Sequence, residues 1–331
     1  MTDVPWTELT NDAQWLVQAL DPATDQVRLV RLSPEAYREA SFLDDRMFQK
    51  PHEALIRPWA QVAPIAATLT RDDARWIFHI GHVGSTLVAR LLGELPAVLS
   101  IREPRILRDL TNLEPARRQQ MTPSIRKLLS RTFAPADAAL VKATSFVSEH
   151  AGELPASEGR TLMMYAGPQA YIETILAGPN SVLELRQLAP QREVRLRDRS
   201  STSHPARNDA ELAALAWACE MTSMEAAAEA IEGPVQWLDF DAFLEDVPGQ
   251  LTAVAAQFGF SAPAGIVERV ASGPLVNRYS KDLAYEYSST LRAELRAEAR
   301  RRERFAIRDA LAMLEQMARG SPLLARALGR G

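Results

Sequence analysis

The sequence predicts a three-layer α/β fold, a central parallel sheet covered by helices, with a helical N-terminal lobe before it and C-terminal helices after it. Three observations predict it. Short apolar runs at 76–80, 97–101, 138–143, 161–165 and 235–239 have the length and composition of strands buried on both faces. Segments with helical spacing alternate with these runs, the order of a parallel sheet with crossover helices. The first run ends in a glycine-rich turn that opens a helix, and 331 residues are enough to bury the core such a sheet needs.

In chain order, residues 1–70 mix short amphipathic pieces with prolines at 34, 51, 58 and 64, read as a helical, partly irregular lobe in which Trp6, Trp15 and Trp59 are core or packing residues. Residues 71–290 form the sheet domain and 291–331 a helical extension. Trp76 to Ile80 is the first strand. Gly81-His82-Val83-Gly84-Ser85-Thr86 follows, and then Leu87 to Leu92 is apolar at helical spacing. Glycines there let successive N–H groups converge, the unpaired amides of the new helix point the same way, and Ser85 and Thr86 add hydroxyl donors. The stretch has the shape of a phosphate-binding loop, the alternative being a glycine-rich strand-to-helix turn that binds nothing, and the expected architecture is P-loop-like.

The remaining elements follow from their boundaries. Arg105 to Asn112 is a helix, and Thr122-Pro123 starts another over Ser124 to Phe133. Pro168 opens a helix through Ala177 that Gly178-Pro179 stops. The stretch Arg186 to Arg207 reads as a charged connector or a lid. Asn208 caps a long Ala-rich helix to Ile231. Thr290 to Arg319, with opposite charges four apart at Glu298 and Arg302 and at Glu315 and Arg319, reads as a surface helix.

Composition excludes several classes. A net charge of −4 gives no basis for non-specific nucleic-acid binding, and no window approaches transmembrane length, so the expectation is a cytoplasmic protein with neither membrane nor nucleic-acid partner. The single cysteine, Cys219, lies in Ala-rich helical sequence and reads as a packed thiol. No Cys/His metal pattern is present, and no metal is expected.

The loop does not fit a nucleotide-triphosphatase pattern, which requires glycine where His79 stands and lysine where Ser85 stands. It resembles the 5′-phosphosulfate loop of the P-loop sulfotransferase family, in which a glycine precedes two Ser/Thr residues and a basic residue stands two positions before that glycine; His82 occupies the basic place. The resemblance covers about residues 76–290 and implies 3′-phosphoadenosine 5′-phosphosulfate as co-substrate, held at Gly81 to Thr86, and an unidentified small-molecule or peptide acceptor. Ile101-Arg102-Glu103-Pro104 resembles segments in which a glutamate after the second strand takes the acceptor's proton, so Glu103 is the candidate base, with ion pairing to its neighbouring arginines as the structural alternative. Lys142, late in a buried strand, is either a cation for the phosphates or the partner of Glu103.

The family's second motif is only partly present. Pro168 keeps its place and Thr174 falls at the position of the serine that holds the 3′-phosphate, but Ala166 stands where an arginine is expected. Arg278 and Lys281 are the candidate replacements. Asp239 would hold magnesium in a triphosphatase, whereas Asp241 would cap the next helix in a sulfotransferase. The expected activity is sulfuryl transfer to a hydroxyl or amine. The alternatives are an inactive nucleotide-binding or regulatory protein and an ATP-dependent phosphotransferase.

Overall fold

The computed structural model describes residues 9, 10, 12–200, 204–263, 265–276 and 289–330. Five parallel strands form its central sheet: β4 (Arg75–His79), β5 (Val98–Arg102), β6 (Ala138–Lys142), β7 (Thr161–Tyr165) and β8 (Val235–Asp239), in the order β5-β6-β4-β7-β8. All five expected strands are present within a residue of their expected ends. Their registers place Arg102 beside Lys142, His79 beside Met164 and Tyr165 beside Asp239. The carboxyl ends therefore share one edge, and the strand order turns about β4. Ligands of open α/β sheets bind outside that edge at such a turning point. Helices flank the sheet: Ser85–Gly93 packs on β5 and β6, while Asp209–Ala230 and the 3₁₀ segment Ser145–Glu153 pack together and on β4. No helix among the described residues is long and apolar enough to cross a membrane.

The N-terminal lobe is not the helical unit expected for residues 1–70. It holds a three-stranded antiparallel sheet, β1 (Trp15–Asp21), β2 (Gln26–Arg31) and β3 (Ala54–Pro58), with helices at Pro34–Glu39 and Trp59–Thr68. Six of the seven β1 residues are buried, so the period-two alternation that marks a half-exposed strand is missing there. The turn between β1 and β2 is held by Asp21, whose carboxylate accepts from Ala23 N at 2.9 Å and Thr24 Oγ1 at 2.7 Å. Trp15 and Trp59 are buried, as expected, and Trp6 lies outside the described residues. Arg102 ties this lobe to the main sheet. Its buried guanidinium donates to the carbonyls of Tyr37, Arg38 and Ala40, which end the Pro34–Glu39 helix, and burial pushes its pKa down to about 9.

Other expectations shift for local reasons. The helix expected over Ser124–Phe133 runs instead from Pro115 to Leu129, because Pro115 occupies the first turn and Pro123 is accommodated within the helix. The stretch read as a connector or lid is largely the helix Pro179–Ser200, since Arg192, Arg195 and Arg199 find carboxylate partners in Glu220 and Glu149. Two helices, Ser289–Arg302 and Arg304–Ala318, replace the single surface helix, and a third, Pro322–Leu328, follows. Arg296 and Arg300 there pair with the fully buried Glu173. The cap of the Phe240–Glu245 helix is Asp239, which accepts from Asp241 N at 2.7 Å; Asp241, the expected cap, instead pairs with Arg292 and Arg296. Pro168–Ala177 and the Asn208 cap are as expected.

Candidate active site

The loop after β4 is shaped by backbone conformation. Gly81, His82 and Gly84 all have left-handed φ, at 83°, 56° and 60°. Gly84 is the residue before the Ser85–Gly93 helix, and a Cβ on it would lie 2.0 Å from Phe240 ring carbons, so no other side chain fits. His79 fastens the start of the loop. Its Nδ1 accepts from Gly81 N at 3.0 Å, and its Nε2 lies 3.0 Å from the Ala143 carbonyl, which fixes a neutral tautomer with the hydrogen on Nε2. The first N–H groups of the helix have no intrahelical acceptors by construction, and Ser85 and Thr86 stand among them, both buried. An oxyanion is the ligand such an arrangement accepts.

The loop forms one wall of a cavity of 440 Å³ whose lining brings together most of the expected site residues: Gly81 to Thr86, Glu103 and Lys142. Glu103 follows β5 and also has a left-handed φ, 52°, with its N–H held at 2.7 Å by the carbonyl of Lys142. It pairs with neither Arg102 nor Arg105. Lys142 Nζ bonds its Oε1, and Arg46 from the N-terminal lobe meets its Oε2 at 2.9 Å. Burial alone would raise the Glu103 pKa, but Lys142, and then Arg46, overcome it and hold the carboxyl below the usual range. Lys142 Nζ also lies 3.4 Å from Thr86 Oγ1, so one ammonium links the carboxylate to the loop. Of the two roles considered for Lys142, the partnership with Glu103 is the one formed.

His82 faces Glu184 of the Pro179–Ser200 helix, with Nε2 3.7 Å from its carboxylate. Thr174 stands apart: it is absent from the cavity lining, and its hydroxyl donates to the Ala170 carbonyl at 2.7 Å within its own helix. Ala166 is buried and its carbonyl accepts from Trp217 Nε1 at 2.9 Å. Arg278 and Lys281 lie outside the described residues. Sequence reading missed Arg46 and Arg192, which also line the cavity. Arg46 comes from a lobe with no readable motif, and nothing in the sequence marks Arg192 among its neighbouring arginines as the one that lines the cavity.

No family model matches the chain, and no curated protein does. Solved structures do. Sulfotransferases are among the solved structures it resembles. A sulfotransferase domain from the curacin biosynthetic pathway is 12% identical, with 65% of this chain and 83% of that one covered and a TM-score of 0.43. The sulfotransferase domain of the Synechococcus PCC 7002 olefin synthase is 15% identical, with 69% and 87% covered and a TM-score of 0.40. A mouse sulfotransferase complexed with PAP is 11% identical, with 72% and 79% covered and a TM-score of 0.35.

Proposed function

We propose that the protein transfers a sulfuryl group from 3′-phosphoadenosine 5′-phosphosulfate to a hydroxyl or amine acceptor. The observation that carries this reading is the juxtaposition, in one cavity, of an oxyanion cradle at Gly81–Thr86 with Lys142 and an ionised Glu103. In the reaction the acceptor atom bonds to sulfur while the bond from sulfur to the bridging oxygen breaks. The acceptor's proton passes to Glu103, and adenosine 3′,5′-bisphosphate leaves. Charge grows on the bridging oxygen, where the amides of the Ser85–Gly93 helix, the hydroxyls of Ser85 and Thr86, and Lys142 offset it, with His82 beside them. Arg46 and Lys142 keep Glu103 ionised but weaken it as a base.

Asp239 spends its carboxylate on a helix cap, which disfavours the magnesium role that an ATP-dependent phosphotransferase needs. The buried Ala166 favours a second reading, a nucleotide-binding protein without catalysis. Thermal unfolding with adenosine 3′,5′-bisphosphate, and separately with ATP and magnesium, tests all three. The bisphosphate is expected to stabilise by about 2.7 kcal/mol at a hundredfold excess over its dissociation constant. Stabilisation by ATP and magnesium alone would point to phosphoryl transfer. Stabilisation by the bisphosphate without sulfuryl transfer to any of a panel of phenols, alcohols and amines would point to binding alone.

A further inference from the structure

Ala166 stands where the sulfotransferase pattern has an arginine, and among the residues that line the cavity the structure offers one from a different element. Arg192 stands on the Pro179–Ser200 helix, is 9% exposed, and lines the same cavity as the loop. Its Nε donates at 3.0 Å to Glu220, a carboxylate with no solvent exposure on the Asp209–Ala230 helix. No hydrogen bond from its two terminal nitrogens is formed among the described residues.

The charges around it do not cancel. Arg195 pairs with both Glu220, at 3.3 Å, and Glu149, at 2.5 Å, and Arg199 pairs with Glu149. Three guanidiniums thus share two carboxylates, and of the three only Arg192 lines the cavity. Burial works against its charge, but the Glu220 carboxylate bonded to its Nε offsets that and keeps the guanidinium charged. The Tyr171 hydroxyl, beside it, is buried without a hydrogen-bond partner among the described residues. One acid, Glu184, lines the cavity from the same helix, but it is half exposed and faces His82. A guanidinium anchored through Nε presents its terminal nitrogens as a fork suited to an oxyanion.

We propose that Arg192 binds the second phosphate of the donor nucleotide, in place of the arginine missing at residue 166. This rests on the sulfotransferase reading above, since it takes the loop to hold the other end of the same nucleotide. The Arg192 assignment also makes the anchoring carboxylate, Glu220, a positioning residue. The chain would then select a 3′-phosphorylated nucleotide with a residue that its sequence motif does not contain.

Titration calorimetry on the full chain, with adenosine 3′,5′-bisphosphate and with adenosine 5′-monophosphate, tests it. The natural chain should prefer the bisphosphate by about tenfold or more, the size of one charge-assisted phosphate contact. In Arg192→Gln that preference should fall to about twofold or less, with the affinity for the monophosphate nearly unchanged. Arg192→Lys keeps a charge for Glu220 but offers no fork, and should show an intermediate preference even if the glutamine variant folds poorly. Using the ratio of two affinities within one variant removes any dependence on the folded fraction. A preference that survives both substitutions, or that is lost instead in Arg278→Ala, overturns the assignment and leaves the functional reading standing. If the natural chain binds neither nucleotide, both fall together.

Discussion

Glu103 is where the demands of folding and chemistry meet most closely. Its carboxylate is shared between Arg46 and Lys142, and Lys142 is 1% exposed along its side chain. Removing one member of a buried pair leaves the other charge uncompensated, which costs about 3 kcal/mol or more. Glu103→Gln should therefore destabilise the protein by about that amount in urea at neutral pH. Adding Lys142→Met should recover part of the loss, because the orphaned ammonium is then gone. The pH dependence has a definite sign. The carboxyl pKa is lowered in the folded state, so its stabilisation is present above the unfolded carboxylate value, about 4.3, and is lost as pH falls through the folded value. The gap between the natural chain and Glu103→Gln should accordingly close below about pH 4. In turnover, the same substitution should cost about a hundredfold if Glu103 is the base, with nucleotide affinity nearly intact. Cys219 makes a simpler case. It is fully buried, and burial, with Glu220 nearby, pushes its thiol up to about 12. Iodoacetamide should leave it unmodified until the protein unfolds.

The loop and the elements that seat it form a unit in which one glycine decides the fit. Phe240 begins the helix after β8, stacks on Phe243, and occupies the space into which any Cβ at residue 84 would project. Gly84→Ala combines overpacking with a left-handed backbone and should cost about 2–4 kcal/mol in denaturant unfolding. Phe240→Ala in the same chain should relieve the clash but not the backbone strain, so only part of the loss should return. Glycines, hydroxyls and apolar strands are local signals, and this half of the site was legible in the sequence. The β-strands of the main sheet were legible to within a residue because each is a short apolar run between turn residues. β1 was not, since Gln18, buried and donating to the Leu43 carbonyl, interrupts its apolar run while burial hides any alternation. Nor was the Pro179–Ser200 helix: its arginines look solvated until Glu149 and Glu220, distant in sequence, come to lie against them. Arg46 was hidden for the same reason, its relation to Glu103 being created only by the docking of the N-terminal lobe.

Over the whole molecule, the Ser289–Arg302 helix docks on the elements that seat the glycine loop. Arg296 and Arg300 of the Ser289–Arg302 helix reach Glu173, and Arg292 and Arg296 reach Asp241. Arg292 also lies over the Phe240 ring, 5.2 Å from its centre, and Phe240 is the residue that seats Gly84. A path of contacts thus runs from the Ser289–Arg302 helix through Phe240 to the loop at Gly84. Glu173→Gln should weaken this docking by about 2 kcal/mol, toward the low end for a buried carboxylate because Arg300 is half exposed and screened by solvent. Burial raises the pKa of both Glu173 and Asp241, yet the arginines overcome it and hold each carboxyl below its ordinary value. Each therefore stabilises the docked state above the unfolded carboxylate pKa and ceases to do so as pH falls through the folded one. Hydrogen exchange can follow this locally. In Glu173→Gln at neutral pH, and in the natural chain below about pH 4, amides of the Ser289–Arg302 helix should exchange faster than those of the central strands, and the Ser85–Val88 amides should accelerate with them. If the loop amides stay protected while that helix opens, the path through Phe240 does not couple them, and the C-terminal helices only cover the domain.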